Sequence, residues 1–412
     1  MHDADEASRE SGKPRLSGRI HILGLGNVGT FVAHSLASRP SPPPITLLMH
    51  NPELYRAWLA KKKCLAVNTN GLDDIKTGFD VNVLQDKTWH SIPYWNKDGS
   101  AENTSEGPGN DSQEVEAEES FAQMMEDDEK IECLIVAVKT PVTAMALESV
   151  SHRLTPDSTV LFLQNGLGVV DEINQKIFPD PLQRPHYMYG IISHGLARKD
   201  AFQVSHTGVG TTILGSVLSK DGGPPSKKDV DWVPSTKFLL RTLTLTPPLV
   251  AVAEEPSSLM LYQLEKLALN SVINPLTAIM DCQNGELLYN YSFTRVMRLL
   301  LMEISSVICA LPELQGIPGI ESRFSPERLR SLVTRLANQT AKNHSSMLQD
   351  VRAGKTTEIE YMNGYIVRRG EELGIKCVVN YTIKHLVLAK QQDSKQRESG
   401  AIPVDLLKES NS

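Results

Sequence analysis

Lys266, Asn270 and Asn274 recur at four-residue intervals in "EKLALNSVINPLTAIMDCQNG", Glu265 to Gly285. In a helix, residues four apart stack on one face, so one ammonium and two amides form a single stripe. Leu267, Leu269, Val272, Ile273, Leu276 and Ile279 make most of the remaining surface apolar. Such a helix is expected to be buried, and a buried charge needs a partner or a task. The task open to Lys266 is proton donation to an oxygen that acquires negative charge during a reaction. The plainer alternative is a surface lysine beside helix-terminal amides.

A second set lies near the start. The apolar run Arg19 to Leu23 ends at Gly24-Leu25-Gly26-Asn27-Val28-Gly29, and "TFVAHSLASR" follows with helical character. Strand, glycine turn and helix together form the dinucleotide-binding fingerprint. The first glycine makes the turn, the second admits a diphosphate, and the third lets helix and strand pack. The helix N-terminus then offers N–H groups to the phosphates. The next strand, Ile45 to Met49, ends in His50-Asn51 rather than the Asp or Glu that grips the ribose of NAD. With Arg56 and Lys61 to Lys63 shortly after, NADP(H) is the expected cofactor. Lys139 ends the apolar strand "ECLIVAVK" and Asn165 follows the strand "TVLFL". Ligands of open α/β sheets bind beyond such carboxyl ends. Asn165 before Gly166 also has a plain use as a turn residue.

These elements divide the 412-residue chain in two. The expected fold is α/β: an N-terminal Rossmann-type parallel sheet over residues 18–253, then an all-helical domain over 254–392. Residues 1–17 and 393–412 read as flexible tails. Between Cys64 and Val83 one or two strands are expected. From Lys87 to Lys130 the apolar pattern breaks. Twelve Asp and Glu and no Lys or Arg fall between Asp98 and Glu129, so residues 96–130 read as a disordered acidic insert. The formal net charge of -7 comes from this stretch, and the rest of the chain is mildly basic. That suits a small anionic ligand and gives no sign of nucleic-acid binding. Strands are expected over His186 to Ala197 and Phe202 to Gly215. The latter would fold back at Gly208-Val209-Gly210 as an antiparallel edge. Ser257 or Ser258 would cap the Lys266 helix. One long helix is expected around Pro326 to Val351, with Asn343 and Ser346 on one face. Another opens at Thr356-Thr357-Glu358, where Glu358 would favour the helix dipole. The chain from Gln391 on reads as frayed. Five scattered cysteines suggest reduced thiols and no zinc site. No apolar run nears the roughly 18 to 20 residues that cross a bilayer. The acidic N-terminus resembles no secretory or transit peptide, so the cytoplasm is expected, with mitochondria as the alternative.

"HILGLGNVG", "VKTPV", "LQNGLG", "EKLALNSVINPLTAIMDCQNGEL" and "NHSSMLQDVRAGKTTEIEYMNGYIVRRGEELGI" together resemble the ketopantoate (2-dehydropantoate) reductase family in its longer fungal form. The resemblance implies NADPH-dependent reduction of ketopantoate to pantoate on the way to pantothenate and coenzyme A, with the site in a cleft between the two domains. It implies Lys266 as the catalytic lysine and Glu358 as a catalytic glutamate that also borders substrate and cofactor. Asn270, Asn274, Asn343 and Ser346 would hold the substrate, and Asn165 and Lys139 would line the cofactor side. It further implies no membrane and allows a homodimer. The family's arginine for the 2′-phosphate is replaced here by His50-Asn51. Two other readings stay open: reduction of another branched 2-keto acid, and a non-catalytic relative acting in mitochondrial translation.

Overall fold

The computed structural model describes residues 16–92, 125–217 and 232–399, with side chains through 394. The chain forms two compact units. The first comprises Met1–Gln164 and Asp171–Leu259, and the second Asn165–Val170 and Met260–Ser412. The division thus falls after Leu259 rather than after 253, and the short loop after Gln164 belongs with the helices.

The first unit begins with β1 (Ile20–Leu23), α1 (Asn27–Ala37), β2 (Ile45–Met49) and α2 (Pro52–Ala60). Next come β3 (Leu65–Thr69), β4 (Leu72–Lys76), β5 (Asp80–Gln85), β6 (Thr88–Ile92), β7 (Met125–Glu126) and β8 (Cys133–Val136). Then follow α3 (Thr143–Glu148), β9 (Thr159–Phe162), α4 (Val169–Lys176) from Asp171 on, and β10 (His186–Ile192). The last are β11 (Gly195–Asp200), β12 (Gln203–Gly208), β13 (Thr212–Ser216), α5 (Pro234–Thr244) and β14 (Ala251–Ala253).

Ten strands form one sheet in the order β14-β13-β10-β9-β8-β1-β2-β5-β6-β7. The run from β10 to β5 is parallel throughout. Every residue of β1, β8 and β9 is buried, as expected for apolar strands covered on both faces. The chain leaves β1 for β2 on one side, while β8 pairs on the other, so the switch point of the sheet lies between β1 and β8. β11, β12, β3 and β4 form a second sheet, which contacts α1.

Several expectations are corrected. Cys64 to Val83 holds parts of three strands. Both edges of the stretch expected to lack structure are ordered. Thr88–Ile92 is a strand because Trp89 is buried and donates from Nε1 to Ser149 O at 2.9 Å. At the far side Asp127 pairs with fully buried Arg153 at 3.0 Å. Residues 93–124, where most of the insert falls, lie outside the described residues, as do 1–15 of the N-terminal tail. Ser17 is tied to Glu132 through its N–H and hydroxyl. The antiparallel edge is present as β13 against β10. However, Gly208 to Gly210 does not fold one strand back on its neighbour: it carries the chain from the small sheet to the large one.

The second unit contains α6 (Pro256–Met280) from Met260 on, α7 (Tyr291–Ala310), α8 (Ile320–Arg323) and α9 (Pro326–Gln339). It continues with α10 (Ser346–Arg352), α11 (Asn363–Glu372) and α12 (Val378–Ser399). Its core packs Leu264, Leu267, Val272 and Leu276 of α6 against Leu300, Ile304 and Ile366. Pro275 sits inside α6 and has no N–H for the Ser271 carbonyl four residues back. The Asn363 side chain supplies that donor at 2.9 Å and also donates to Asn380 Oδ1 at 3.0 Å. Asn380 in turn donates to Glu303 at 2.8 Å, and the Glu303 carboxylate accepts the N–H groups of Val379 and Asn380 at the start of α12. A buried polar spine therefore joins α6, α11, α12 and α7.

Four helical expectations change. Ser257 and Ser258 fall inside α6, which starts at Pro256. The long helix over 326–351 is broken, because Gly285 N–H binds Ala341 O at 3.1 Å and Asn284 N–H binds Asn343 O at 3.0 Å. Ser345 restarts the helix by accepting from Leu348 N–H at 3.1 Å. No helix opens at Thr356: Thr357 N–H is taken by the Gln391 side chain, and a short turn at Ile359–Tyr361 precedes α11. The same contact shows why Gln391 is not frayed; α12 runs on to Ser399, and 400–412 lie outside the described residues.

Candidate active site

In the first unit, the glycine turn between β1 and α1 shows three different demands. Gly24 has φ +103, and an added Cβ would lie 2.5 Å from Val138 N. At Gly29 an added Cβ would lie 1.8 Å from Gly24 O, so helix and turn touch there. At Gly26 it would meet nothing within 4 Å. Gly26 is also the N-cap of α1, without a side-chain cap and with no acid in the first turn. The close packing at Gly24 and Gly29 thus leaves one open, positively polarised face at Gly26, which fits a dinucleotide diphosphate. Leu25 and Val28 pack against the core, and Asn27 donates to Leu196 O at 3.3 Å. Lys139 is exposed at the N-cap of a short turn over Thr140–Val142. His50 is exposed, while Asn51 is consumed as the cap of α2, accepting from Leu54 N–H at 2.8 Å. Arg56 is exposed, 3.9 Å from Glu53.

In the second unit, Lys266 is half-buried on α6. Burial lowers its pKa to about 8, against the pull of the Glu358 carboxylate, which favours the ammonium. Glu358 is 3% exposed and accepts a hydrogen bond from Asn165 Nδ2 at 3.2 Å. It makes no side-chain cap, so the expected helix-dipole role is replaced by this contact. The loop after Asn165 is fixed to the segment carrying Glu358. Leu167 N–H binds Tyr361 O at 2.9 Å. Gly166 has φ +83, and a Cβ there would lie 2.5 Å from the same oxygen. Lys266, Glu358 and Asn165 therefore converge from three distant parts of the chain.

The other candidates vary. Asn270, one turn beyond Lys266, is half-buried. Asn274 is buried, and among the described residues its amide donates to the Met362 thioether at 3.7 Å, a weak acceptor. Ser346 is half-buried at the first turn of α10, while Asn343 is exposed in the break before it and shares no helix face with Ser346. Sequence reasoning missed Asn363, Asn380 and Glu303. Pro275 was the available signal, because a proline inside a helix frees a carbonyl that must find a donor. All five cysteines are free, and burial raises the Cys377 thiol to about 11, which suppresses the reactive thiolate.

The family described as "Ketopantoate reductase PanE/ApbA" matches residues 20–219, and its C-terminal part matches residues 258–391. The chain belongs to the ketopantoate reductase family. It is an oxidoreductase of that kind. Over 379 residues it is 27% identical to the "Probable 2-dehydropantoate 2-reductase" of Schizosaccharomyces pombe, covering 91% of this chain and 97% of that one. Over 391 residues it is 28% identical to a ketoisovalerate reductase of Gibberella fujikuroi, covering 85% and 77%. In fold it resembles D-mandelate dehydrogenase solved with NADH and anilino(oxo)acetate. The TM-score is 0.63 at 19% identity, over 91% of this chain and 99% of that one.

Proposed function

We propose that this family member reduces ketopantoate to (R)-pantoate with NADPH. One observation carries the reading: Lys266 on α6 lies within the field of the buried Glu358 carboxylate, which Asn165 holds in place, and burial lowers the lysine's pKa to about 8 while Glu358 favours its ammonium. At neutral pH such a group is still an ammonium, yet it gives up its proton more readily than an exposed lysine. When bound, a nicotinamide dinucleotide supplies the hydride. The turn from Gly24 to Gly29 would hold its diphosphate, with Lys139 a further contact. Lys266 donates the proton to the carbonyl oxygen of the substrate as negative charge develops there. Asn270, Asn274 and Ser346 bind the polar groups of the substrate, and Asn343 contributes from the break before α10. Glu358, held by Asn165, accepts a hydrogen bond from the substrate hydroxyl.

That last role separates the two substrate readings. The ketoisovalerate reductase relative favours an unfunctionalised branched 2-keto acid. Ketopantoate carries a hydroxyl for a buried carboxylate to accept, and a site built to bind a hydroxyl discriminates strongly against analogues that lack it. NADPH oxidation measured with ketopantoate beside ketoisovalerate tests this: kcat/KM should favour ketopantoate by at least about a hundredfold. Equal rates would sink the assignment. With no carboxylate at His50-Asn51, NADPH should bind about tenfold tighter than NADH, or ~1.4 kcal/mol, in a fluorescence titration. We place the reaction in the cytoplasm.

A further inference from the structure

The β11–β12 hairpin carries three charges in a row, Arg198, Lys199 and Asp200, and two of them are spoken for. Lys199 pairs with Asp73 at 3.3 Å on β4. Asp200 pairs with Lys61 and accepts Ala201 N–H at 2.7 Å. Among the described residues the Arg198 side chain makes neither a hydrogen bond nor an ion pair, and its charge acts on Asp200 two residues on, although a guanidinium offers five donors. It lines one small concavity together with Leu25, Gly26, Asn27 and Thr30, the turn and first helical residues of the fingerprint, and with Asp200 of its own hairpin.

The hairpin is held firmly in this place. Asn27 Nδ2 binds Leu196 O, two residues before Arg198. At the hairpin tip Phe202 is buried, with its ring edge-on to Trp58 at 5.0 Å, and its carbonyl accepts Ala66 N–H at 3.0 Å. Lys61 clamps the neighbouring carboxylate. These ties reduce the cost of holding a long side chain near a ligand. At the end of β2, His50 is exposed and Asn51 is occupied in capping α2.

We propose that Arg198 binds the diphosphate of the nicotinamide dinucleotide, together with the glycine turn. This rests on the nicotinamide reading above. A charge-assisted, forked contact supplements the backbone N–H groups of α1, which alone carry only a partial charge. The group recognised is common to NADH and NADPH, so the contact raises affinity for both without selecting between them.

The test is cofactor affinity without substrate, read from dihydronicotinamide fluorescence, for the wild type, Arg198→Gln and Arg198→Lys. Arg198→Gln should weaken NADPH and NADH alike, by about tenfold or more. Arg198→Lys should recover part of the loss, and an unchanged melting temperature should show that the exposed side chain is not structural. Unchanged affinity for both dinucleotides would overturn the proposal. So would a loss confined to NADPH, which would put the guanidinium at the 2′-phosphate. A wild type that binds neither dinucleotide would overturn it together with the reading it rests on. Turnover of ketopantoate is measured separately and bears on the substrate reading alone.

Discussion

The glycine turn and the lysine site are built in opposite ways. The turn is six contiguous residues whose roles follow from local sterics: two glycines have no room for a Cβ, and one faces open space. The lysine site gathers Asn165, Lys266 and Glu358, the first and last 193 positions apart in the chain. It therefore depends on elements that touch no ligand, such as the spine through Asn363. A local motif carries its own geometry, whereas an assembled one borrows its geometry from packing.

The largest expected effect is at the assembled site. Lys266→Ala should lower kcat by roughly 10² to 10⁴ fold, the usual range for a general acid, with NADPH affinity nearly untouched. Near-normal turnover by this variant would remove Lys266 from the mechanism. The same lysine sets a pH limit. Its folded pKa of about 8 means that the ammonium is lost as pH rises through that value. The rate should then fall about tenfold per unit well above pH 8, and the fall should be absent from the residual activity of Lys266→Ala. A flat profile up to pH 10 would contradict the assignment.

Smaller effects distinguish the two designs. Gly29→Ala forces a Cβ against Gly24 O and should destabilise the protein by about 1 to 3 kcal/mol. Gly26→Ala should leave the melting temperature near that of the wild type but weaken cofactor binding. If both variants melted alike and bound alike, the division of labour in the turn would be wrong. Asn363→Ala leaves the Ser271 carbonyl buried without its donor and should cost roughly 1 to 3 kcal/mol. It should also lower kcat through the position of α6, with cofactor affinity preserved. Loss of stability with an unaltered kcat would show that the spine holds the fold and not the site.

The fold class was legible in the chain because fully buried strands read as apolar runs and the glycine turn breaks them at a fixed place. The Lys266 stripe was legible because helical periodicity is a local property. Breaks in helices were not. Pro326 to Val351 has helical character throughout, yet tertiary hydrogen bonds from Asn284 and Gly285 open it after Gln339. Glu358 illustrates the same limit: its sequence position suggests a helix start, and its observed partner is an amide brought from Asn165.

By itself, then, the sequence determined the apolar strands of the parallel sheet, the glycine turn and the face of α6 that carries Lys266. Those features depend on neighbours within a few residues, where backbone sterics and side-chain spacing decide. Only the tertiary structure decided that Glu358 faces Lys266 and Asn165, that Asn363 takes up the carbonyl freed by Pro275, and that Lys266 is desolvated enough to lose affinity for its proton. Desolvation and Coulomb interaction depend on distance in space, and the folded packing alone sets those distances.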